Sequence, residues 1–393
     1  MNLNDELSKL VSPGRQGSDV PDGWKPRLEV DEAGGFFVST PRKADEMPDA
    51  ADLLGDFDLD PTQWRVVSVR RSRWQRFDGD WLEAARVSIV PAIATSGLLA
   101  DDVELLIKEV SKWRPKATAK PYTGSLSAVY AVGDTQYGKD AGDGTEGTIG
   151  RVRAGLEGSL ERHKELLKLS RPIGTIVLPQ MGDSIEGCSS QNGKVLGRTD
   201  VMSMTGQVRI GRRILMEWIK AFAPLAENVI VPVVPGNHDE PHRFLITEPT
   251  DNWQIDIVSA VQDACADNPA LQHIQFRYPS RDDSTLAIDL GGQILGMAHG
   301  HQTRNNAAKW LESHALGNTP VGNSDVLLTA HYHHFIAQQI GPRLHIQIPA
   351  SDGGSAFFRN SRGLDSPTGI VSFVMGDGYD PRRDLSVLAG EQR

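Results

Sequence analysis

Residues 229–240 read VIVPVVPGNHDE, an apolar run that ends in Pro-Gly and is followed by Asn237, His238 and Asp239. A continuous apolar run of this length is typical of a strand in a parallel sheet that is buried on both faces. Gly236 lets the backbone turn at once, so the polar side chains after it are predicted to point into a cleft. An ordinary strand and turn is the alternative interpretation, and companion motifs elsewhere in the chain decide between the two.

The whole chain has 393 residues, of which 39% are hydrophobic, enough for a large domain and a smaller one. The formal net charge is −10 and the pI is near 5.6. No global positive field therefore attracts the protein to nucleic acid or to an anionic membrane. A nucleic-acid partner requires a local basic patch.

The two cysteines, Cys188 and Cys265, are far apart and lack the spacing of metal ligands. This argues against a disulfide framework and against a thiolate zinc site, and it fits a reducing cytosol. The N-terminus MNLNDELSKL has no basic-then-apolar pattern, and no apolar run approaches the roughly 20 residues of a membrane span. We therefore expect a cytoplasmic protein without an export signal or a membrane anchor.

Two segments are predicted to precede the main domain. Residues 1–60 are rich in Pro, Gly and acidic side chains and lack sustained periodicity, which predicts an extended or poorly ordered segment. Residues 61–120 are predicted to form a small accessory region. It begins with two β-like runs joined by a hairpin turn at residues 78–80, and a helix at about 99–113 follows.

The predicted hairpin carries the one basic patch of the sequence that is interleaved with aromatic residues. Such a mixture suits phosphate pairing and base stacking, and so suits a nucleic-acid partner. The alternative is a solvated hairpin face whose tryptophans belong to the hairpin core. The residues of this patch are Arg65, Arg70, Arg71, Arg73 and Arg76, among Trp64, Trp74 and Trp81.

From residue 127 onward, strands and helices are predicted to alternate in a βαβαβ series, and each strand ends in a polar motif. After about residue 265 the pattern becomes strand-rich, which predicts a second sheet. We therefore expect residues 121–393 to form one α/β domain with two sheets.

Polar side chains follow the predicted strands in every part of this domain. The residues are Asp134, Asp183, Asn237, His238, His299, His331 and His333. Because strand ends in a layered α/β fold meet at one edge, we expect these side chains to converge there. Carboxylates, an amide oxygen and imidazoles form a mixed donor set that suits manganese, iron or zinc rather than calcium. A pair of metal ions about 4 Å apart, sharing one aspartate, suits phosphoryl transfer.

This ordered set of motifs resembles the signature of calcineurin-like metallophosphoesterases, which is DxH, GD, GNHD, H and GHxH. The resemblance covers residues 127–350. It implies that residues 121–393 form the catalytic domain, an α/β fold of two facing mixed β-sheets flanked by helices. It also implies two divalent metal ions, Mn²⁺ in the first place, with Fe or Zn as alternatives. By position, the first ion would be held by Asp134 and His333, both ions by Asp183, and the second by Asn237, His299 and His331.

The chain departs from that signature at two positions. The DxH motif is DTQ, so Gln136 replaces a histidine, and the GHxH motif has Ala330 in place of its glycine. The amide oxygen of Gln136 can still serve as a metal ligand, but a neutral oxygen is usually a poorer ligand than an imidazole. We therefore expect the first ion to bind more weakly or through water.

The resemblance leaves His238 without a metal and assigns it, with Asp183, to catalysis. An imidazole titrates near neutrality, and Asp239 or another carboxylate would favour its charged form, so His238 is predicted to protonate the leaving group. A metal-bridging hydroxide would attack the phosphorus in line. Nearby loop residues would bind the substrate phosphate, unless they are ordinary loop charges. These candidates are Arg198, His242 and Arg243.

Among metallophosphoesterases the chain is most similar to the SbcD-type repair exonucleases, which implies a DNA exonuclease or endonuclease that hydrolyses phosphodiester bonds. A small-molecule phosphatase or nucleotide phosphodiesterase is the alternative, since the acidic net charge repels a small phosphate ester less than it repels a long nucleic acid. A non-catalytic scaffold is a third interpretation, because Gln136 replaces a metal-binding histidine of the signature and so weakens the metal site. The expected partner is nucleic acid, with DNA favoured, or a nucleotide. No membrane partner is expected, and a homodimer or a partner subunit remains open.

Overall fold

The structure is a computed structural model that divides into two compact units, Met1–Leu99 and Ala100–Arg393. The residues that it describes are 27–31, 34–49, 52–61, 64–75, 79–91, 101–115, 121–187, 199, 203–241, 247–354, 363 and 366–389. Among the helices in these ranges, none is both apolar enough and long enough to pass through a bilayer.

The first unit contains five strands, β1 Arg27–Asp31, β2 Gly34–Val38, β3 Arg42–Lys43, β4 Trp64–Gln75 and β5 Trp81–Pro91. They form an antiparallel sheet in which β1, β2, β5 and β3 are neighbours in that order and β4 also pairs with β5. The two long strands β4 and β5 pair along their length, from Trp64 opposite Pro91 to Gln75 opposite Trp81.

A small apolar core lies on one face of this sheet. A 3-10 helix, Asp52–Phe57, contributes the buried Leu53 and Leu54, which cluster with Phe37 and Val87. Burying side chains of this size stabilises a fold by roughly 1.5–3 kcal/mol each. The described part of residues 1–60 therefore contains strands and core residues, where we predicted an extended or poorly ordered segment. Its strands are too short for their periodicity to show in the sequence.

The second unit begins with helix α1, Asp101–Lys112, which buries its apolar face in the core of this unit. Its C-terminal end is capped by Asn268, whose Nδ2 donates to the carbonyl oxygens of Val110 at 2.6 Å and Trp113 at 2.9 Å. We predicted this helix as part of the accessory region. The boundary between the two units instead lies before this helix, because its apolar face packs in the core of the second unit.

The first sheet of the second unit has six strands, β6 Leu126–Ala131, β7 Ile173–Val177, β8 Asn228–Pro232, β9 Ile274–Arg277, β15 Gly369–Met375 and β16 Ser386–Ala389. Their order in the sheet is β16-β15-β6-β7-β8-β9. Strands β6 to β9 are parallel, and β15 and β16 extend the sheet with antiparallel pairing. Every residue of β6 is buried, as expected for a parallel strand that is covered on both faces.

The second sheet has five strands, β10 Thr285–Leu290, β11 Gln293–Ala298, β12 Val326–Thr329, β13 Ile336–Ile340 and β14 Arg343–Gln347. Their order in the sheet is β10-β11-β12-β14-β13. Strands β11, β12 and β14 are parallel neighbours, and the two outer strands pair antiparallel.

The two sheets face each other across an apolar core that includes Val129 and Phe373 from the first sheet and Leu295 and Ile346 from the second. Helices cover the outer faces: three pack on the first sheet and one on the second. These are α2 Gly144–Lys168, α3 Met204–Phe222, α4 Trp253–Ala266 and α5 Ala307–Leu316. The predicted fold class, two facing mixed sheets flanked by helices, is confirmed.

Candidate metal centre

Six of the polar residues that we predicted to converge lie at one edge of the two facing sheets, each after the end of a strand. They are Asp134, Asp183, Asn237, His299, His331 and His333. Backbone hydrogen bonds hold the loops side by side: the N–H of Asp134 donates to the carbonyl of Gly182 at 3.1 Å, and that of Ala330 donates to the carbonyl of His299 at 2.7 Å. The convergence therefore follows from the register of the parallel strands.

The close approach of these loops depends on two glycines. A Cβ on Gly236 would lie 2.0 Å from the backbone nitrogen of Asp183, and a Cβ on Gly182 would lie 2.7 Å from Gly236. No larger residue fits either position without moving the backbone. Asp134, Asp183 and His331 have φ angles of 48°, 54° and 72°. Such left-handed backbone is uncommon outside glycine, costs free energy and clusters at functional sites.

Both aspartates of the site are buried, and each has one carboxylate oxygen fixed by a backbone N–H. Oδ1 of Asp183 accepts a hydrogen bond of 2.7 Å from the N–H of His238, and Oδ2 of Asp134 accepts one of 2.8 Å from the N–H of His331. The second oxygens face imidazoles. Oδ2 of Asp183 lies 3.1 Å from Nε2 of His299, and Oδ1 of Asp134 lies 3.5 Å from Nε2 of His333. The backbone thus turns both carboxylates towards one group of histidines.

Four buried polar atoms at this edge make no hydrogen bond of normal geometry among the described residues, and two of them, Asp183 Oδ2 and His299 Nε2, face each other as an ion pair at 3.1 Å. The four atoms are Asp134 Oδ1, Asp183 Oδ2, Asn237 Oδ1 and His299 Nε2. An unpaired buried polar group costs about 1–3 kcal/mol, so a group of them in one place indicates a ligand that the protein is built to hold. Carboxylate, amide and imidazole donors are those that manganese, iron and zinc accept. The residues present therefore fit a divalent metal centre.

His299 is held in the orientation that a metal ligand needs. Its Nδ1 lies 2.7 Å from the carbonyl oxygen of Met181, so Nδ1 donates a proton there and Nε2 is turned towards Asp183. The ligand atoms of Asp183, His299 and His331 all lie within 4.8 Å of one another. In the part of the chain that the structure describes, this is the one group of three such residues with that spacing.

The charges of the site compensate one another. Burial alone would lower the pKa of His299, but the carboxylates of Asp183 and Asp134 raise it to about 10. Burial also opposes the ionisation of Asp183, yet the charges of His299 and His238 hold its pKa well below the usual range. Burial, together with His299, lowers the pKa of His331 to about 4 and keeps its imidazole in the neutral form that binds metals. The imidazolium of His299 thus supplies positive charge to the two carboxylates, and a divalent ion bound there would take over that role while His299 gives up its proton.

The Asp134 side of the site contains an ammonium group that the sequence analysis missed. Nζ of Lys139 donates to Oε1 of Gln136 at 2.5 Å and pairs with Asp352. Oδ2 of Asp352 also lies 3.6 Å from Nδ1 of His333. The oxygen of Gln136, predicted as a metal ligand, is therefore bonded to a lysine. Lys139 lies three residues after Gln136 in DTQYGK, and this proximity in the sequence could have indicated the pairing.

His238 lies beside Glu186, another residue that the sequence analysis missed. Nδ1 of His238 is 3.2 Å from the carbonyl oxygen of Glu186 and 3.6 Å from its Oε2. Asp239, which we named as the carboxylate partner of His238, instead accepts hydrogen bonds from the N–H groups of Ser184 and Ile185. Glu186 is buried, which raises its pKa. The acidic residue of GDSIEG was the signal that could have identified it.

His301 is a further histidine beside the predicted ligand set. The ring of His301 packs 5.5 Å from that of His299 and 5.8 Å from that of His331, between centroids. Burial lowers the pKa of His301 to about 3. The predicted substrate-binding residues Arg198, His242 and Arg243 lie outside the described residues.

No family model and no curated protein matches this chain. Among solved structures, a predicted phosphoesterase from Streptococcus pneumoniae is 12% identical over 69% of this chain and 89% of that one, with a TM-score of 0.28. An archaeal phosphodiesterase is 14% identical over 66% of this chain and 99% of that one, with a TM-score of 0.31. Vps29 from Entamoeba histolytica, complexed with zinc, is 15% identical over 66% and 96%, with a TM-score of 0.28. At these values the similarities carry no argument about activity.

Proposed function

We propose that this protein is a metal-dependent phosphoesterase that hydrolyses phosphodiester bonds, with DNA as its substrate. The observation that supports this most is the group of buried carboxylate, amide and imidazole atoms that lie together at the edge of the sheets without hydrogen bonds of normal geometry. Two carboxylates among these imidazoles suit a pair of ions that share Asp183. The proposed ligands are Asp134, Asp183 and His333 for one ion, and Asp183, Asn237, His299 and His331 for the other.

The residues of the chain have separate roles in this proposal. When bound, divalent ions supply Lewis acidity, which neutralises phosphate charge and lowers the pKa of water. Asp183 is held rigidly by the backbone N–H of His238, so it needs no reorganisation during the reaction. The side chain of His238 is 19% exposed, and its Nδ1 faces Glu186. Nε2 is therefore the atom that would give a proton to the leaving oxygen.

A small-molecule phosphatase or nucleotide phosphodiesterase is the second candidate. The net charge of −10 favours it, because a long polyanion is repelled more than a single phosphate group. A non-catalytic scaffold is the third candidate. The buried ligand atoms that lack a hydrogen bond of normal geometry argue against it, because they lower stability and a scaffold gains nothing in return.

A hydrolysis panel with the Mn²⁺-loaded full chain distinguishes these functions. The substrates are single-stranded DNA, double-stranded DNA, RNA, bis-(p-nitrophenyl) phosphate and p-nitrophenyl phosphate. We expect cleavage of DNA and of the activated diester, and no cleavage of either by Asp183→Asn, which controls for contaminating enzymes. Hydrolysis of the monoester alone would favour the phosphatase. If none of the substrates is hydrolysed and no metal is bound, the result would favour the scaffold.

A further inference from the structure

A connected series of buried charges extends from the Asp134 side of the site. Nζ of Lys139 contacts Oε1 of Gln136 at 2.5 Å and the carboxylate of Asp352. Asp352 is 1% exposed, and its Oδ2 lies 3.6 Å from Nδ1 of His333. Nε2 of the same histidine lies 3.5 Å from Oδ1 of Asp134. A single side chain, Asp352, therefore lies between an ammonium group of the protein and the proposed metal ligand His333.

The backbone fixes the position of this ammonium. The N–H of Lys139 donates to the carbonyl of Gln136 at 3.0 Å, and residue 139 forms an antiparallel bridge with Thr199. The preceding Gly138 has φ +102°, and its N–H donates to Oγ1 of Thr145 at 2.7 Å. The lysine side chain is only 15% exposed. The loop thus holds the charge inside the protein.

On the basis of the proposed function, we propose that Lys139 is a positioning residue that makes the two metal positions unequal. Its ammonium engages the oxygen of Gln136 and neutralises Asp352, so neither is available to a second cation. It also places positive charge close to the Asp134 side. The Asp183 side keeps a carboxylate, an amide oxygen and two imidazoles. One divalent ion binds tightly there, and the second binds at least about tenfold more weakly.

Calorimetric titration of the metal-free full chain with Mn²⁺ measures both binding steps without relying on activity. We expect one tight and one weaker step in the wild type. Lys139→Met should strengthen the weaker step by about tenfold or more, because it frees the oxygens of Gln136 and Asp352. Lys139→Arg keeps the charge and should resemble the wild type. Lys309→Met removes the same charge from an exposed position on α5 and should also resemble the wild type.

Asp352→Asn provides a second test that does not depend on the folding of Lys139→Met. It leaves the ammonium uncompensated, so the weaker step should become weaker still. Two equal steps in the wild type, an unchanged second step in Lys139→Met, or a stronger second step in Asp352→Asn would each overturn the role of Lys139 and leave the proposed function intact. Absence of Mn²⁺ binding by the wild type would overturn both.

Discussion

Asp183 is the single residue on which the proposed site depends most. One of its carboxylate oxygens accepts from a backbone N–H, and the other faces His299. We expect Asp183→Asn to abolish hydrolysis and to lower Mn²⁺ affinity at both positions by at least about 10²-fold, because an amide cannot neutralise two cations. Metal content after equilibrium dialysis measures this. Asp263→Asn, exposed on α4, is the matched control, and loss of only one ion would show that Asp183 is not shared.

His238 and Glu186 form a pair whose role depends on the leaving group. Nδ1 of His238 faces the carbonyl and carboxylate oxygens of Glu186, so that Nε2 can give up a proton. We expect His238→Asn to lose about 10² to 10⁴-fold on an unactivated ester and distinctly less on a p-nitrophenyl ester, whose leaving group needs no proton. Glu186→Gln should show the same preference with a smaller loss, since it only orients the imidazole.

Steady-state kinetics on matched activated and unactivated esters, with metal content measured in the same samples, checks this pair. Both variants should retain their metal, because neither side chain is a proposed ligand. Equal losses on the two esters at unchanged metal content would mean that His238 positions the phosphate and does not protonate the leaving group.

At the scale of elements, strand β4 is the candidate nucleic-acid surface of the first unit. Arg70 and Arg73 are exposed, and the guanidinium of Arg73 lies 5.1 Å from the ring centre of Trp81. Arg71 instead pairs with the buried Glu83 at 2.9 Å and belongs to the sheet itself. We expect Arg70→Gln with Arg73→Gln to weaken binding to single-stranded DNA and to reduce its salt dependence, by about one unit of slope for each phosphate that an arginine would otherwise neutralise.

Fluorescence anisotropy at several salt concentrations measures this effect. Hydrolysis of bis-(p-nitrophenyl) phosphate should be unchanged, since a small diester has no further phosphates for these arginines to bind. Arg281→Gln with Arg382→Gln removes two exposed arginines from the second unit and serves as the matched control. DNA affinity equal to that of the wild type would eliminate this surface as a binding site.

The sequence predicts the fold of the second unit because its strands are long apolar runs that each end in a polar motif. The runs before Asp134, Asp183 and Asn237 therefore identify three parallel strands and the edge where they meet. The pairing of Lys139 with Asp352 could not be predicted in this way. It joins residues 213 positions apart through side chains, and no periodicity relates them. Strands as short as β1 to β3 carry too few residues to show a pattern.

At the scale of the whole second unit, a buried histidine predicts how stability depends on pH. His163 on α2 is 1% exposed, its Nδ1 pairs with the hydroxyl of Tyr130 at 3.1 Å, and burial lowers its pKa from 6.5 to about 4. The unfolded chain accepts a proton that the folded unit resists. The stability that the neutral His163 contributes is therefore complete above pH 6.5, and it is lost as the pH falls towards 4. At about 1.4 kcal/mol per pKa unit, this loss is roughly 3 kcal/mol.

Urea unfolding followed by circular dichroism, in excess chelator, measures this dependence. We expect the free energy of unfolding of His163→Gln to decrease less between pH 6.5 and pH 4 than that of the wild type. Carboxylates titrate in both proteins, so the difference between the two curves isolates the histidine. Parallel curves would show that His163 does not contribute to the acid sensitivity of the fold.

The metal centre proposed at the edge of the two sheets is tested most directly by one titration. Mn²⁺ is added to the metal-free full chain, and bound metal and hydrolysis of bis-(p-nitrophenyl) phosphate are measured in the same samples. We predict that hydrolysis rises from the baseline as Mn²⁺ binds and returns to it when a chelator removes the metal. Mn²⁺ bound at the site without hydrolysis, or hydrolysis that persists after the metal is removed, would contradict the proposed function.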